Sequence, residues 1–537
     1  MDCIASKIPY RQTGYFNKIV VDYIDQSPSL KEFLTYPPTL GGIKKAIEER
    51  KDFKYNRKVL VEELKKQYSG LPVNEKVNKN IEALLSSKTF TITAAHQTNI
   101  FTGPLYFFYK ILHAIKLAEH CKSSFPDYNF VPVFYMGSED ADFDELNHIY
   151  LGDEKLVWNT NQTGAVGRMK IDKDLIRLIG LMEGQLLVQP HGNEIINLIK
   201  ECYKPGDTIQ YATFKFIHAL FSDFGLVVLL PDNKGLKNQM VDIFQDDLLN
   251  QTASGIIEKS AVKLADAGYK VQAYPREINL FYLKNNIRER IERKVEDKAE
   301  EYLVLNTIIR FSKDELLSEL VNHPERFSPN VILRGIYQET ILPNIAFIGG
   351  GGETAYWLQL KGLFEYYKVP FPVLVLRNSF LIVEKKWQDK IAKLGFDLDD
   401  FFLTEQELLN KLVARESKNE IKLNGSLHEL EQLYDSFKKQ AAAIDVTLAR
   451  HVDHLKIKTV RNLQELEKKM LRAEKRKFAA QQRQIQAIKS QLFPGNGLQE
   501  RYGNISFLYS KWGKEFLQIL FENSLALESE FILLREK

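Results

Sequence analysis

From Ser426 to Phe493 the chain contains neither Gly nor Pro. Leu427, Leu430, Tyr434, Phe437, Ala441, Ile444, Leu448, Val452 and Leu455 recur there at alternating spacings of three and four, which places them on one helix face. A second, less regular series runs Leu463, Leu466, Met470, Phe478, Ile485, Ile488, Leu492. One unbroken helix of about 68 residues would extend about 100 Å. Two antiparallel helices turning near His451–Lys458 fit better, because each buries its stripe on the other. The stretch predicts an antiparallel coiled coil, roughly 426–493, within a helical C-terminal domain 381–537, and a homodimer built through it. Its second half is basic, from Lys456 to Lys489. A solvated face of a dimerising coil accounts for that charge; nucleic-acid binding is the lesser alternative, because aromatics do not interleave with the basic residues.

A chain of 537 residues exceeds what one hydrophobic core supports, so at least two structural units are expected. The net charge of +3 neither demands nor excludes a nucleic-acid partner. Cys3, Cys121 and Cys202 lie far apart without a Cys-x-x-Cys pair, which argues against a disulfide framework and a structural zinc site. The N-terminus lacks a signal pattern, and no uncharged apolar run approaches the roughly 20 residues that span a bilayer. The expectation is a reducing, cytoplasmic protein without a membrane segment.

Residues 1–380 follow a different grammar. Thr89–Thr93 is β-prone, the polar loop His96-Gln97-Thr98-Asn99 follows, and Leu105, Phe108, Ile111, Leu112, Ile115 and Ala118 then recur at helical spacing. Pro104 suits a first helical turn, and Thr102 can cap it. Asn129–Met136 and Gly225–Leu230 are continuous apolar runs, as strands covered on both faces require. Ile345–Ile348 and Pro372–Leu376 are two more. Together they predict one doubly wound α/β domain, 1–380, with inserted segments over roughly 150–330. Within the insertions, Ile149–Gly167 reads as a hairpin and Gly268–Leu283 as strands. Asn285–Lys298 reads as a solvated charged helix or connection. Tyr502–Arg535 has helical aromatics suited to packing back on the core.

Four polar segments stand at strand ends, where an open α/β sheet binds ligands. His96 and Gln97 either meet phosphate or carboxylate oxygens, or relay a proton, or are surface groups. Glu139, Asp140, Asp142, Asp144 and Glu145 with His148 either hold an amine or a divalent cation or form a solvated turn; the calcium-loop spacing is absent, and so many carboxylates repel one another unless a cation is near. Gly349–Gly352 before Glu353 is either a ligand cradle or a tight turn, better suited to an amino acid or sugar than to a triphosphate, because Glu353 sits in the first turn of its helix. Arg377-Asn378 either clamps a carboxylate or phosphate or is structural. No P-loop pattern occurs.

Several separated blocks carry a family resemblance: AHQTNIFTGPLYFFYK (Ala95–Lys110), VPVFYMGSEDADFDELNH (Val131–His148), Leu333–Gln338, the FIGGGGETAYWLQL block ending at Leu360, and PGNGLQERY (Pro494–Tyr502). In order, spacing and length the chain resembles the bacillithiol biosynthesis cysteine-adding enzymes. The resemblance implies a ligase joining L-cysteine to the amine of glucosaminyl malate to form bacillithiol. It also implies a Rossmann-like core with connecting-peptide insertions, related to class I aminoacyl-tRNA synthetases, and a dimerising C-terminal coiled coil. His96–Pro104 then occupies the place of the synthetases' His-Ile-Gly-His segment, with only His96 present.

The expected catalytic residues are His96, Gln97, Asp140, Asp142 and Asp144. The expected substrate-binding residues are Thr102, Gly103, Glu139, His148, Gly350, Gly351, Glu353, Tyr356, Arg377 and Asn378. No protein metal ligands are expected; ATP or another nucleotide with Mg²⁺ is the expected cofactor. A nucleotide-responsive scaffold that serves the true ligase is the alternative from another class.

Overall fold

The computed structural model describes residues 2–296, 299–417 and 422–537. It divides into two units, residues 1–382 with 497–537, and residues 383–496.

The first unit is organised by five strands: β1 (Thr89–Gln97), β2 (Asn129–Gly137), β3 (Val227–Leu229), β4 (Asn344–Gly349) and β5 (Val373–Leu376), in the order β5-β4-β1-β2-β3. Every neighbouring pair is parallel. No residue of β1 carries a formal charge except a titratable His96, and all but the last residue are buried. That is the composition a strand covered on both faces requires. β1 and β2 run in register from Thr89 opposite Asn129 to Gln97 opposite Gly137. Their carboxyl ends therefore finish side by side. Helix α1 (Tyr106–Ser124) follows β1, and helix α2 (Gly351–Tyr367) follows β4.

The inserted segments hold a hairpin, His148–Leu151 with Glu154–Val157, and an antiparallel sheet containing Leu280–Lys284, Ile287–Glu296, Ala299–Val304, Arg310–Ser312 and Phe327–Pro329. Ile287–Glu296 is thus a strand, not the solvated helix expected of its charges; Asp297 and Lys298 lie outside the described residues. Alternation explains it: Ile291 is buried while the adjacent Glu292 is exposed, and Arg293 pairs across the strands with Glu300 at 3.1 Å. Of Gly268–Leu283 only the end is a strand. Upstream, Asn279 is tied to buried Asp247, which accepts from its backbone N–H at 2.6 Å and its amide at 3.0 Å.

Residues 497–537 are grouped with the first unit. Glu530–Glu536 carries the apolar run Phe531–Leu534 and buries it by pairing antiparallel with Cys3–Pro9, from Cys3 opposite Glu536 to Pro9 opposite Glu530.

The second unit is helical. Its long elements are α3 (Asn424–Ile444) and α4 (Leu448–Lys475). Tyr434–Thr459, Lys438–Asp453 and Lys456–Asp435 contacts make them antiparallel. The reversal comes at Asp445–Thr447, earlier than His451–Lys458. There the Asp445 carboxylate accepts from the Thr447 N–H and hydroxyl, both at 2.7 Å, a turn made without Gly or Pro. Among the described residues no helix is long and apolar enough to cross a membrane.

Candidate active site

A cavity of about 380 Å³ opens at the carboxyl ends of β1, β2 and β4, where ligands enter open α/β sheets. Five cations line it: Lys110, Arg288, Arg334, Arg377 and Arg501. Three carboxylates, Glu139, Asp140 and Glu353, oppose them. The excess of positive charge suits an anionic ligand.

His96 leaves the end of β1 into this cavity, with its ring edge-on to Tyr106 and Phe107. Burial, with Lys110, Arg334 and Arg377 nearby, holds its pKa well below the usual imidazole range. It is therefore neutral, and its buried Nε2 has no hydrogen-bond partner among the described residues. Gln97 donates its amide to Asp140 Oδ2 at 2.7 Å. Asp140 Oδ1 accepts from the Asp142 N–H at 3.1 Å. Burial alone would raise the Asp140 pKa, but the Gln97 hydrogen bond, the Arg288 charge and two backbone N–H groups together lower it. Asp140 is a firm anion. Glu139 is the opposite case, because burial outweighs the Lys237 charge and raises its pKa. Lys237 forms an ion pair with it, and Ser328 Oγ donates to its second oxygen at 2.9 Å.

Opposite these groups stands the start of α2. The Gly350 N–H donates to Glu353 at 2.8 Å, so the Glu353 carboxylate caps its own helix and also pairs with buried Lys110. Lys110 donates in addition to the Ala95 carbonyl at 2.9 Å. None of the four glycines has a positive φ; what the first three supply is room. A Cβ on Gly349 would meet the Phe347 ring at 3.0 Å, and one on Gly350 would reach Arg377 Nε at 3.4 Å. Arg334 is held by Tyr356. Arg377 pairs with buried Glu500 at 2.7 Å and donates to the Asn378 carbonyl and Ser379 Oγ.

Residues 3–378 match the family described as bacillithiol biosynthesis BshC, N-terminal Rossmann-like domain, and residues 380–536 match its C-terminal coiled-coil domain. The chain belongs to the bacillithiol biosynthesis BshC family. It is 39% identical over 537 residues to a Flavobacterium psychrophilum protein named "Putative cysteine ligase BshC", covering 99% of each chain. A Flavobacterium johnsoniae protein of the same name is 39% identical over 532 residues, covering 99% of this chain and 98% of its own. A Chloroherpeton thalassium namesake is 30% identical, covering 87% and 86%.

In this BshC-family chain the cavity gathers His96, Gln97, Glu139, Asp140, Gly350, Gly351, Glu353, Tyr356 and Arg377 from the expected residues. Others lie elsewhere. Asp142 is exposed and caps Phe143–Leu146 by accepting from the Glu145 N–H, and Asp144 is exposed beside it. Thr102 is buried away from the cavity and makes no helix cap. Gly103 has φ +65° and sits against Asn99, where a Cβ would approach to 2.8 Å. The Asn504 amide clamps this loop, donating to the Phe101 and Gly103 carbonyls at 2.9 and 2.7 Å. Asn378 faces the C-terminal segment: its amide donates to the Leu525 carbonyl at 3.0 Å and its N–H to His113 at 3.1 Å. His148 lines a neighbouring cavity of about 260 Å³.

Lys110, Arg288, Arg334, Glu500 and Arg501 were not singled out from the sequence. For Lys110 a signal existed, a lone cation in the apolar run Tyr106–Ile115. Arg288 was hidden in the misread charged stretch, and Arg501 and Glu500 are distant in sequence from every strand end they serve.

Proposed function

We propose that this chain joins the carboxylate of L-cysteine to the amine of glucosaminyl malate, forming the amide bond of bacillithiol in the cytoplasm. Membership of the BshC family and the ligase name of its relatives support the reaction class. The observation that carries the site assignment is the neutral, open-faced His96 placed between Lys110, Arg334 and Arg377 at the carboxyl end of β1.

Water opposes amide formation, so the carboxylate must be activated, and ATP with Mg²⁺ is the proposed agent. Lys110 and Arg334 would hold its phosphates, and the bound nucleotide would supply the leaving group. Among the described residues no group of three or more His, Cys, Asp or Glu side chains could hold a metal ion, so Mg²⁺ would enter on the phosphates, as it commonly does. His96 offers its free Nε2 to the carboxyl or phosphoryl oxygens without adding a further positive charge to the five already there. Asp140, oriented by Gln97, holds the incoming ammonium. Glu139, with its raised pKa, is matched to take the proton that the amine must lose. Arg377 is committed to Glu500 and shapes the wall.

The purified chain, incubated with L-cysteine, glucosaminyl malate, ATP and Mg²⁺, should yield bacillithiol by mass spectrometry. His96→Ala should lower turnover by about 10²-fold; undiminished turnover removes His96 from the mechanism. Persistent absence of product from the wild-type chain points to the scaffold reading instead.

A further inference from the structure

The cavity of about 260 Å³ beside the main one shares Gln97, Tyr106 and Arg501 with it, and its remaining wall has a chemistry of its own. Tyr150 and Tyr502 pack against each other with ring centroids 4.4 Å apart and planes at 41°, an aromatic wall with polar tips. Asn99 is 6% exposed; its amide donates to the Glu145 carbonyl at 3.2 Å, which leaves Oδ1 without a donor among the described residues. A buried acceptor left unsatisfied costs about 1–3 kcal/mol, so a ligand hydroxyl or N–H directed at Oδ1 recovers that cost. The Arg501 guanidinium makes no hydrogen bond or ion pair among the described residues and stands where the two cavities meet. Its planar fork suits a carboxylate.

An aromatic wall, an unsatisfied acceptor and a free guanidinium together recognise a hydroxylated ring that bears a carboxylate. We infer that this second cavity is the subsite for the sugar acid substrate, with the ring on Tyr150 and Tyr502, a hydroxyl on Asn99 and a carboxylate on Arg501. The inference rests on the ligase reading above and deepens it. Gln97 is the hinge of the arrangement: it walls both cavities and is hydrogen-bonded to Asp140. A ring seated in the second cavity therefore presents its amine toward the carboxylate that holds it, while the first cavity keeps the activated acid.

The test is calorimetric titration of glucosaminyl malate, and in parallel of ATP, into the wild-type chain and into Tyr150→Ala and Tyr502→Ala, with thermal melts as the check on folding. Both tyrosines are half-buried at the cavity wall, so two independent variants guard against loss of one. The dissociation constant for glucosaminyl malate should rise at least about tenfold in each folded variant, with that for ATP unchanged within about twofold. Unchanged affinity for glucosaminyl malate, or loss of ATP affinity instead, overturns the subsite. Weakened binding in the variants with no product from the wild type supports the subsite and defeats the ligase reading. Product from the wild type with unchanged variant affinity does the reverse.

Discussion

The first unit keeps two ion pairs away from water at its core, Arg377 with Glu500 and Arg50 with Glu339, whereas the α3–α4 hairpin keeps its pairs in solvent, Lys438 with Asp453 and Lys456 with Asp435. The two regions also differ in what they bury. The sheet strands are sealed on both faces, but α3 has no buried residue, and Leu433 and Leu455 stay 49% and 42% exposed. Dry ion pairs specify a geometry because losing one partner strands the other. Wet pairs leave the hairpin's geometry to its apolar stripe, which is only half covered. We propose that a second copy of the hairpin covers it, giving the homodimer.

The contrast can be broken most forcefully at Glu500. Glu500→Ala should cost about 3–5 kcal/mol by chemical denaturation, because Arg377 is left buried and unpaired; a loss below about 1 kcal/mol would mean that water already reaches the pair. Next comes Asp247, whose pKa burial pushes up to about 7 against an ordinary value of 3.8. Its folded form favours the proton, so its stabilisation is complete below pH 4 and lost as pH rises through 7. Melting followed over that range should show a decline, of which Asp247→Asn removes on the order of 3 kcal/mol and leaves the share of Glu339, whose pKa burial also raises to about 7. An unaltered slope in the variant would place the titration elsewhere. Leu433→Glu combined with Leu455→Glu should convert a dimer to a monomer in light scattering and weaken association by about 2 kcal/mol or more, leaving the first unit's melting unchanged. A dimer that survives both changes lies on another surface. The smallest effect belongs to Asp453→Asn, at less than about 1 kcal/mol in the same melts; a larger one would make the hairpin's pairs resemble those of the core.

What could be read from the residues follows the same division. The parallel strands were legible because Thr89–Thr93, Asn129–Met136 and Pro372–Leu376 carry no charge, and an uncharged run has few places to go except a covered sheet. Long-range pairing was not legible. Ile287–Glu296 has charges on both faces, and only its partners, Glu300 among them, make it a strand. Arg377 and Asn378 adjoin in sequence, yet the first lines the cavity while the second turns to Leu525. That parting depends on where the last forty residues return, which local spacing does not encode. The acidic run divided likewise: Glu139 and Asp140 face the cavity, and Asp142 is spent on capping a single turn.

The clamp of Asn504 on the Phe101 and Gly103 carbonyls, and of Glu500 on Arg377, has a consequence for synthesis. Arg377 leaves the ribosome's active centre 123 residues ahead of Glu500, roughly 6–25 s at 5–20 residues per second. For that interval the nascent chain holds every strand of its parallel sheet but an unfinished crevice. A chain arrested before Glu500 would leave Arg377 buried without its carboxylate partner, and the crevice wall unfixed.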